Sequence, residues 1–322
     1  MANKKEIVNS VVVCGELIDF LDVKAATSKS GRDYFKYTMR VETNKETGEI
    51  HDVEYFEMKD SYDGSENGRY KAMCTAYETY KTRAEDKIGD IVRLNGKLVT
   101  NSYVSQDKIV NKLVLSGSYM THKEENDERD ESYFDPCAVF NGIAFIDKIE
   151  ESDDKVTVSA LINEYKSKKS SKGHIVELIA DDEGAIAGVK SMFKEDMIIP
   201  VGAKLVDLVE TVFLDEEKTE ELPMKEMVGF GTGLDEIKKY NEWAEKENER
   251  RKVLREEGIK VHRETLSITG CTAPIGEDEV EERGLPFEKM DINEMFDDIY
   301  RIQDELNAEL QMQQVNNQDV PF

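Results

Sequence analysis

Strand-length runs of alternating polarity, a helical stretch between the third and fourth of them, and the same order met a second time predict a mainly β chain with added helices. The architecture expected is the five-stranded Greek-key barrel of the OB type, two in tandem, followed by a C-terminal helix and a flexible tail. The chain has 322 residues, enough for two domains with their own cores.

The first run, SVVVCGELIDF over 10–20, is aliphatic and β-branched, and its internal glycine marks a bend or bulge. GRDYFKYTMRVET over 31–43 alternates, with Phe35, Tyr37, Met39 and Val41 on one face and Tyr34, Lys36, Thr38 and Arg40 on the other. HDVEYFEMKD over 51–60 reads as a third strand, with Phe56 and Met58 opposite Tyr55 and Glu57. Phe35, Met39 and Phe56 are expected in the core. Residues 68–89 are helical in character, and 89–103 and 108–119 supply two more strands.

A charged linker over 121–135 separates this first domain, 1–120, from a second over 136–275. CAVFNGIAFIDKIEE again carries a glycine within an apolar strand, and KVTVSALINEY and GHIVELIADD read as a hairpin. GAIAGVKSMFKED reads as a helix and PVGAKLVDLVETVFLD as a strand. A charged helix over 234–257 is expected as an insertion, with RETLSITGCTAPI completing the barrel after it. The acidic segment 276–312 contains DINEMFDDIYRIQDELNAELQ. There Asp291 and Glu294 fit a capping box, and Ile292, Met295, Phe296, Ile299, Ile302, Leu306 and Leu310 form an apolar seam. The seam is expected on the protein's own body or on a sister subunit. Residues 313–322 form a polar tail.

The chain carries 43 basic and 69 acidic residues, a net charge of −26. The charge is unevenly spread: 18 basic against 19 acidic residues in 1–118, 22 against 36 in 119–274, and 3 against 14 in 275–322. The first third is therefore the part suited to phosphate. The cysteines Cys14, Cys74, Cys137 and Cys271 form no CxxC pair, and the histidines His51, His122, His174 and His262 are scattered, so no metal is expected. GFGTG over 229–233 lacks the lysine of a phosphate loop, and no nucleophile has an evident base, so neither enzyme activity nor a cofactor is expected. Free thiols point to a reducing cytoplasm. The opening residues carry no signal-peptide pattern, and no apolar run reaches membrane-spanning length.

VVVCGELIDF before KSGRDYFKYTMRV, IGDIVRLNGKLVTNSY further on, and the acid-Val-Pro-Phe tip together resemble the bacterial and phage single-stranded DNA-binding proteins. The resemblance covers residues 7–118 and the last four residues. It implies an OB fold that binds single-stranded DNA without strong sequence preference in replication, recombination and repair, in the cytoplasm of a bacterial host cell. It places Tyr55 where that family has a tryptophan and Tyr103 at another stacking position. Strand alternation puts Tyr34 beside Lys36 and Arg40. Lys29, Arg32 and Lys97 lie near the same face or its loops, and Lys166, Lys168, Lys169 and Lys172 offer a second contact at a hairpin tip. The resemblance also implies that Asp319, Val320, Pro321 and Phe322 recruit replication or recombination proteins. The departures are a single acid among the last seven residues and no tryptophan in the first domain. A homo-oligomer remains open, and so does a second reading, in which the acidic body is a scaffold or DNA mimic built on OB-like barrels.

Overall fold

The computed structural model describes residues 8–61, 63–105, 108–152, 154–167, 170–212, 222–223, 225, 232–257 and 259–318. The chain divides into two compact units, 1–206 with 265–322, and 207–264.

Strands β1 (Asn9–Thr27), β2 (Asp33–Asn44), β3 (Glu49–Met58), β4 (Ile91–Ser105) and β5 (Lys108–His122) enclose the first core, with α1 (Gly68–Thr79) and α2 (Arg83–Asp86) between β3 and β4. Their order is β2-β3-β5-β4-β1, and β2 also pairs with β1, so the sheet closes. The β3–β5 pair is parallel, with Val53 opposite Leu115. This is the OB Greek key. β6 (Cys137–Glu151), β7 (Val156–Ser167), β8 (Ser170–Ala180), α3 (Glu183–Met192), β9 (Ile198–Val212) and β10 (Ile259–Cys271) repeat it. Their order is β6-β7-β8-β10-β9, closed by β6–β9 pairing, and β8 lies parallel to β10. Helix α4 (Thr232–Glu257) interrupts the second barrel between its last two strands.

Alternation builds both interiors. Phe35, Tyr37, Met39 and Val41 point inward from β2 and meet Val13, Leu17, Val53, Leu94 and Leu115. Gly15 is required where β1 crosses β2, because a Cβ there would run into the Glu42 carbonyl. The barrels join through antiparallel pairing of β1 with β6, from Asn9 opposite Gly142 to Cys14 opposite Cys137. Val11, Val13, Gly15, Glu16 and Leu17 are buried in β1, and Ala138, Phe140, Gly142, Ile143 and Ala144 follow the same order in β6. With Val12 opposite Val139 near the centre, the junction is a near-twofold contact within one chain. The Asn9 side chain donates to the Leu98 carbonyl at 2.8 Å and accepts from the Leu98 N–H at 2.9 Å. The Thr100 N–H donates to His174 Nδ1 at 2.9 Å. Burial pushes the Cys14 thiol up to about 12.

Beyond β10, α5 (Glu277–Arg283) ends at Gly284, which sits in the left-handed region at φ 60°. Helix α6 (Lys289–Gln318) then lays Ile292, Met295, Phe296 and Ile299 against Ile143, Phe145, Leu161 and Ile175 on the outside of β6–β8. The first four residues of the apolar seam thus pack on the protein's own body. Gly173 permits the close approach, since a Cβ there would crowd Met295 and Leu161 at 2.7 Å. The helix starts at Lys289, so Asp291 lies in its first turn and the capping box read from Asp291 and Glu294 does not form. Asp291 still favours the positive helix end. Among the described residues, no helix is long and apolar enough to cross a membrane.

Candidate nucleic-acid interface

The outer face of β1–β3 in the first barrel is open. Lys24 lies opposite Lys36, and Lys36 lies opposite Phe56, so the three form one row across three strands. Ala26, Tyr34 and Met58 form the next row. The Tyr34 and Phe56 rings meet at 5.2 Å between centroids, tilted by 34°. Phe56 is 53% exposed, although it is a large apolar ring. A bulge places Lys24 here: the register shifts between Leu21 and Lys24, and Asp22 takes φ 52°.

The two facing lysines set the electrostatics. Like charges directly opposite on antiparallel strands repel. Among the described residues, neither Lys24 nor Lys36 has an ion-pair partner. An anion lying between them would remove the repulsion, while the adjacent rings offer a flat apolar surface to a base. In the OB fold, the strand 2–3 face and the loops joining strands 1–2 and 4–5 hold oligonucleotides. Here those loops are the Ser28–Arg32 turn, with Lys29 exposed, and the β4–β5 hairpin, where Tyr103 is 41% exposed.

Several expected contacts are placed differently. Tyr55 is a core residue, 3% exposed, and its hydroxyl donates to the Tyr119 carbonyl at 3.3 Å. Its ring packs against Tyr37 and fills the space that Gly117 leaves by having no Cβ. Phe56 is the outward ring, so the two faces of β3 are the reverse of the expectation. The phase is set by His51 and Val53, both buried on the Tyr55 side. Arg40 makes a bidentate pair with Asp52 at 2.8 and 2.7 Å, with Asp19 opposite, so its charge is already met within the sheet. Lys97 pairs with Glu164 of β7 and ties the barrels together. Arg32 donates to the Asp60 carbonyl beside the first turn.

Much of the second lysine cluster falls beyond the described residues. Lys168 and Lys169 lie outside them, as do Asp319, Val320, Pro321 and Phe322. Lys166 belongs to β7, and Lys172 is half-buried opposite Glu164. Conversely, sequence reading passed over Lys24 and Phe56. Lys24 was hidden by the bulge. Phe56 carried a usable signal, the inward His51–Val53–Tyr55 phase.

The YorF family model matches residues 7–280. The chain belongs to the YorF family. No curated protein sequence matches this YorF chain significantly. It is similar in structure to the wild-type single-stranded DNA binding protein from Thermus aquaticus, with 12% identity and a TM-score of 0.38 over 63% of the YorF chain and 87% of that chain. A deletion mutant of the same protein gives 12% identity and a TM-score of 0.36 over 65% and 89%. The mitochondrial single-stranded DNA binding protein Rim1 from S. cerevisiae gives 12% and 0.23 over 36% and 95%. The OB assignment of the YorF chain stands on its own strand order and closure.

Proposed function

We propose that this YorF protein binds single-stranded DNA, without strong sequence preference, on the open β1–β3 face of its first barrel. The observation that carries the proposal is the row Lys24–Lys36–Phe56 with Tyr34 beside it: two cations without an ion-pair partner among the described residues, next to two outward rings. Bases stack on aromatic faces whatever their identity, and lysines meet the phosphates between them. Lys29 and Tyr103 extend the contact from the neighbouring loops. The role is protection of unwound DNA during phage or bacterial replication, recombination and repair, in the host cytoplasm. Asp319–Phe322 would recruit enzymes of those processes, which a pull-down with and without these residues tests.

The direct test is a titration of labelled oligothymidylate at low salt, followed by anisotropy. Binding at micromolar concentration or below, weakened by salt, is expected. No binding at any salt concentration would overturn the proposal and favour the acidic scaffold, which the net charge of −26 recommends.

A further inference from the structure

Helix α4, in the unit formed by residues 207–264, carries the sole tryptophan of the chain, and that tryptophan is 54% exposed. Burial does not account for an indole in this position. The helix is strongly charged and has only a narrow buried stripe, in which Ala244 is fully buried. Leu222 and Lys225 lie against that inner side. Asn248 exchanges hydrogen bonds with the backbone N–H and carbonyl of Leu222, at 2.7 and 3.0 Å. Asn241 does the same for Lys225, at 2.9 Å each way. These two asparagines are seven residues apart, so they fix one face of the helix inward. Trp243 is held on another face, its ring 5.7 Å from that of Tyr240, which in turn lies under Lys225 Nζ at 4.1 Å.

Lys239 and Lys246 stand one turn before and one turn after Trp243, so all three share a side of the helix. Both lysines are exposed, and among the described residues neither has an ion-pair partner. On the same helix, Arg251 is held by Glu247 at 3.3 Å. Glu242 stands three residues after Lys239 and four before Lys246, and Glu249 three after Lys246, so carboxylates border the stripe. Cation, exposed indole, cation is the pattern that holds a single strand: phosphates on the lysines and a base on the ring. The insertion also occupies the connection between the last two strands of its barrel, a connection that contacts oligonucleotides in OB folds.

We propose that Lys239, Trp243 and Lys246 form a second contact for single-stranded nucleic acid, distinct from the first-barrel face. The ligand class rests on the proposed function of that face; the stripe itself does not.

Because Trp243 is the only indole, its emission reports on this contact alone. The full-length protein is titrated with unlabelled oligothymidylate while tryptophan emission is followed, and binding is measured in parallel by anisotropy of a labelled strand. Saturable quenching is expected, with a midpoint that rises with salt. Trp243→Ala should weaken binding at least about fivefold with an unchanged melting curve, since one stacked base contributes roughly 1–3 kcal/mol. Replacing Lys239 and Lys246 together by Ala should lower the slope of log affinity against log salt by about 1.4, at about 0.7 per phosphate on a single strand. Unchanged emission in a protein that anisotropy shows to be saturated with strand would overturn the second contact and leave the first-barrel face intact. Absence of binding by both readouts would overturn both.

Discussion

The outer faces of β1–β3 and β6–β8 belong to barrels of the same strand order and end in opposite states. The first presents Lys24, Lys36, Tyr34 and Phe56 to solvent. The second presents Phe145, Leu161 and Ile175, and helix α6 covers them with Met295 and Phe296. Closure of a barrel constrains only the inward residues, because those must fill a shared core. The outward residues are free to diverge. One copy became a charged aromatic surface and the other an apolar seat for the chain's own helix. Duplication of an OB barrel therefore does not imply two strand-binding faces of the same kind.

The largest effect separates the two faces of β3. Tyr55→Ala should cost about 3–5 kcal/mol of stability, as deletion of a buried aromatic does. Thermal denaturation would show it, and a wild-type melting curve would return Tyr55 to the surface. Met295→Ala should cost about 2–5 kcal/mol by emptying the seat on the second barrel. Strand affinity per chain should stay the same in that variant. A gain in affinity or in strands bound would break the contrast, since the uncovered face would then bind as the first does.

Phe56→Ala and Tyr34→Ala should leave stability within about 0.5 kcal/mol, as surface changes do. Each should weaken strand binding by roughly 1–3 kcal/mol, or about fivefold to a hundredfold. Equal affinity to wild type in both variants would remove the aromatic platform. Lys24→Ala with Lys36→Ala should flatten the salt dependence by about 1.4 in slope, and the pair should also raise stability slightly by relieving repulsion. An unchanged slope would place the phosphates elsewhere.

The smallest effect is acid sensitivity at Glu16 of the first barrel. Burial would raise the Glu16 carboxyl, but the Lys45 hydrogen bond, the Gly89 N–H and the charges of Lys45 and Arg83 more than offset it and hold the group below its ordinary 4.5. A carboxylate depressed in the folded state adds stability above its unfolded value, and that contribution is lost as pH falls through the folded value. Stability should therefore decline below about pH 4.5, and Glu16→Gln should flatten that limb while lowering stability at neutral pH. The second barrel has Ile143 at the corresponding place. An undiminished acid limb after Glu16→Gln would assign the effect to other carboxylates.

The inward pattern of β2 was legible because Phe35, Tyr37, Met39 and Val41 alternate with polar neighbours. The repeat of the barrel was legible from element order, including the strand that completes it after the 234–257 helix. The face of β3 was misread because Tyr55 and Phe56 are adjacent aromatics, and either can fill a core or face solvent. Lys24 could not be placed from sequence, because a bulge at Asp22 shifts the register, and a shift by one residue sends a side chain to the other side of the sheet. Arg40 and Lys97 read as spare cations, yet both spend their charge on carboxylates, Asp52 across a strand and Glu164 in the other barrel.

By itself, then, the sequence determined the class of fold, its duplication, the helical insertion and an apolar seam on the last helix. Each follows from local periodicity, which needs no knowledge of what lies opposite. Tertiary structure alone decided which aromatic ring of β3 faces solvent, which lysines remain without partners among the described residues, and that the seam covers β6–β8 while the β1–β3 face stays exposed. Those outcomes depend on register and on residues distant in sequence meeting across strands, and no run of neighbouring residues encodes them.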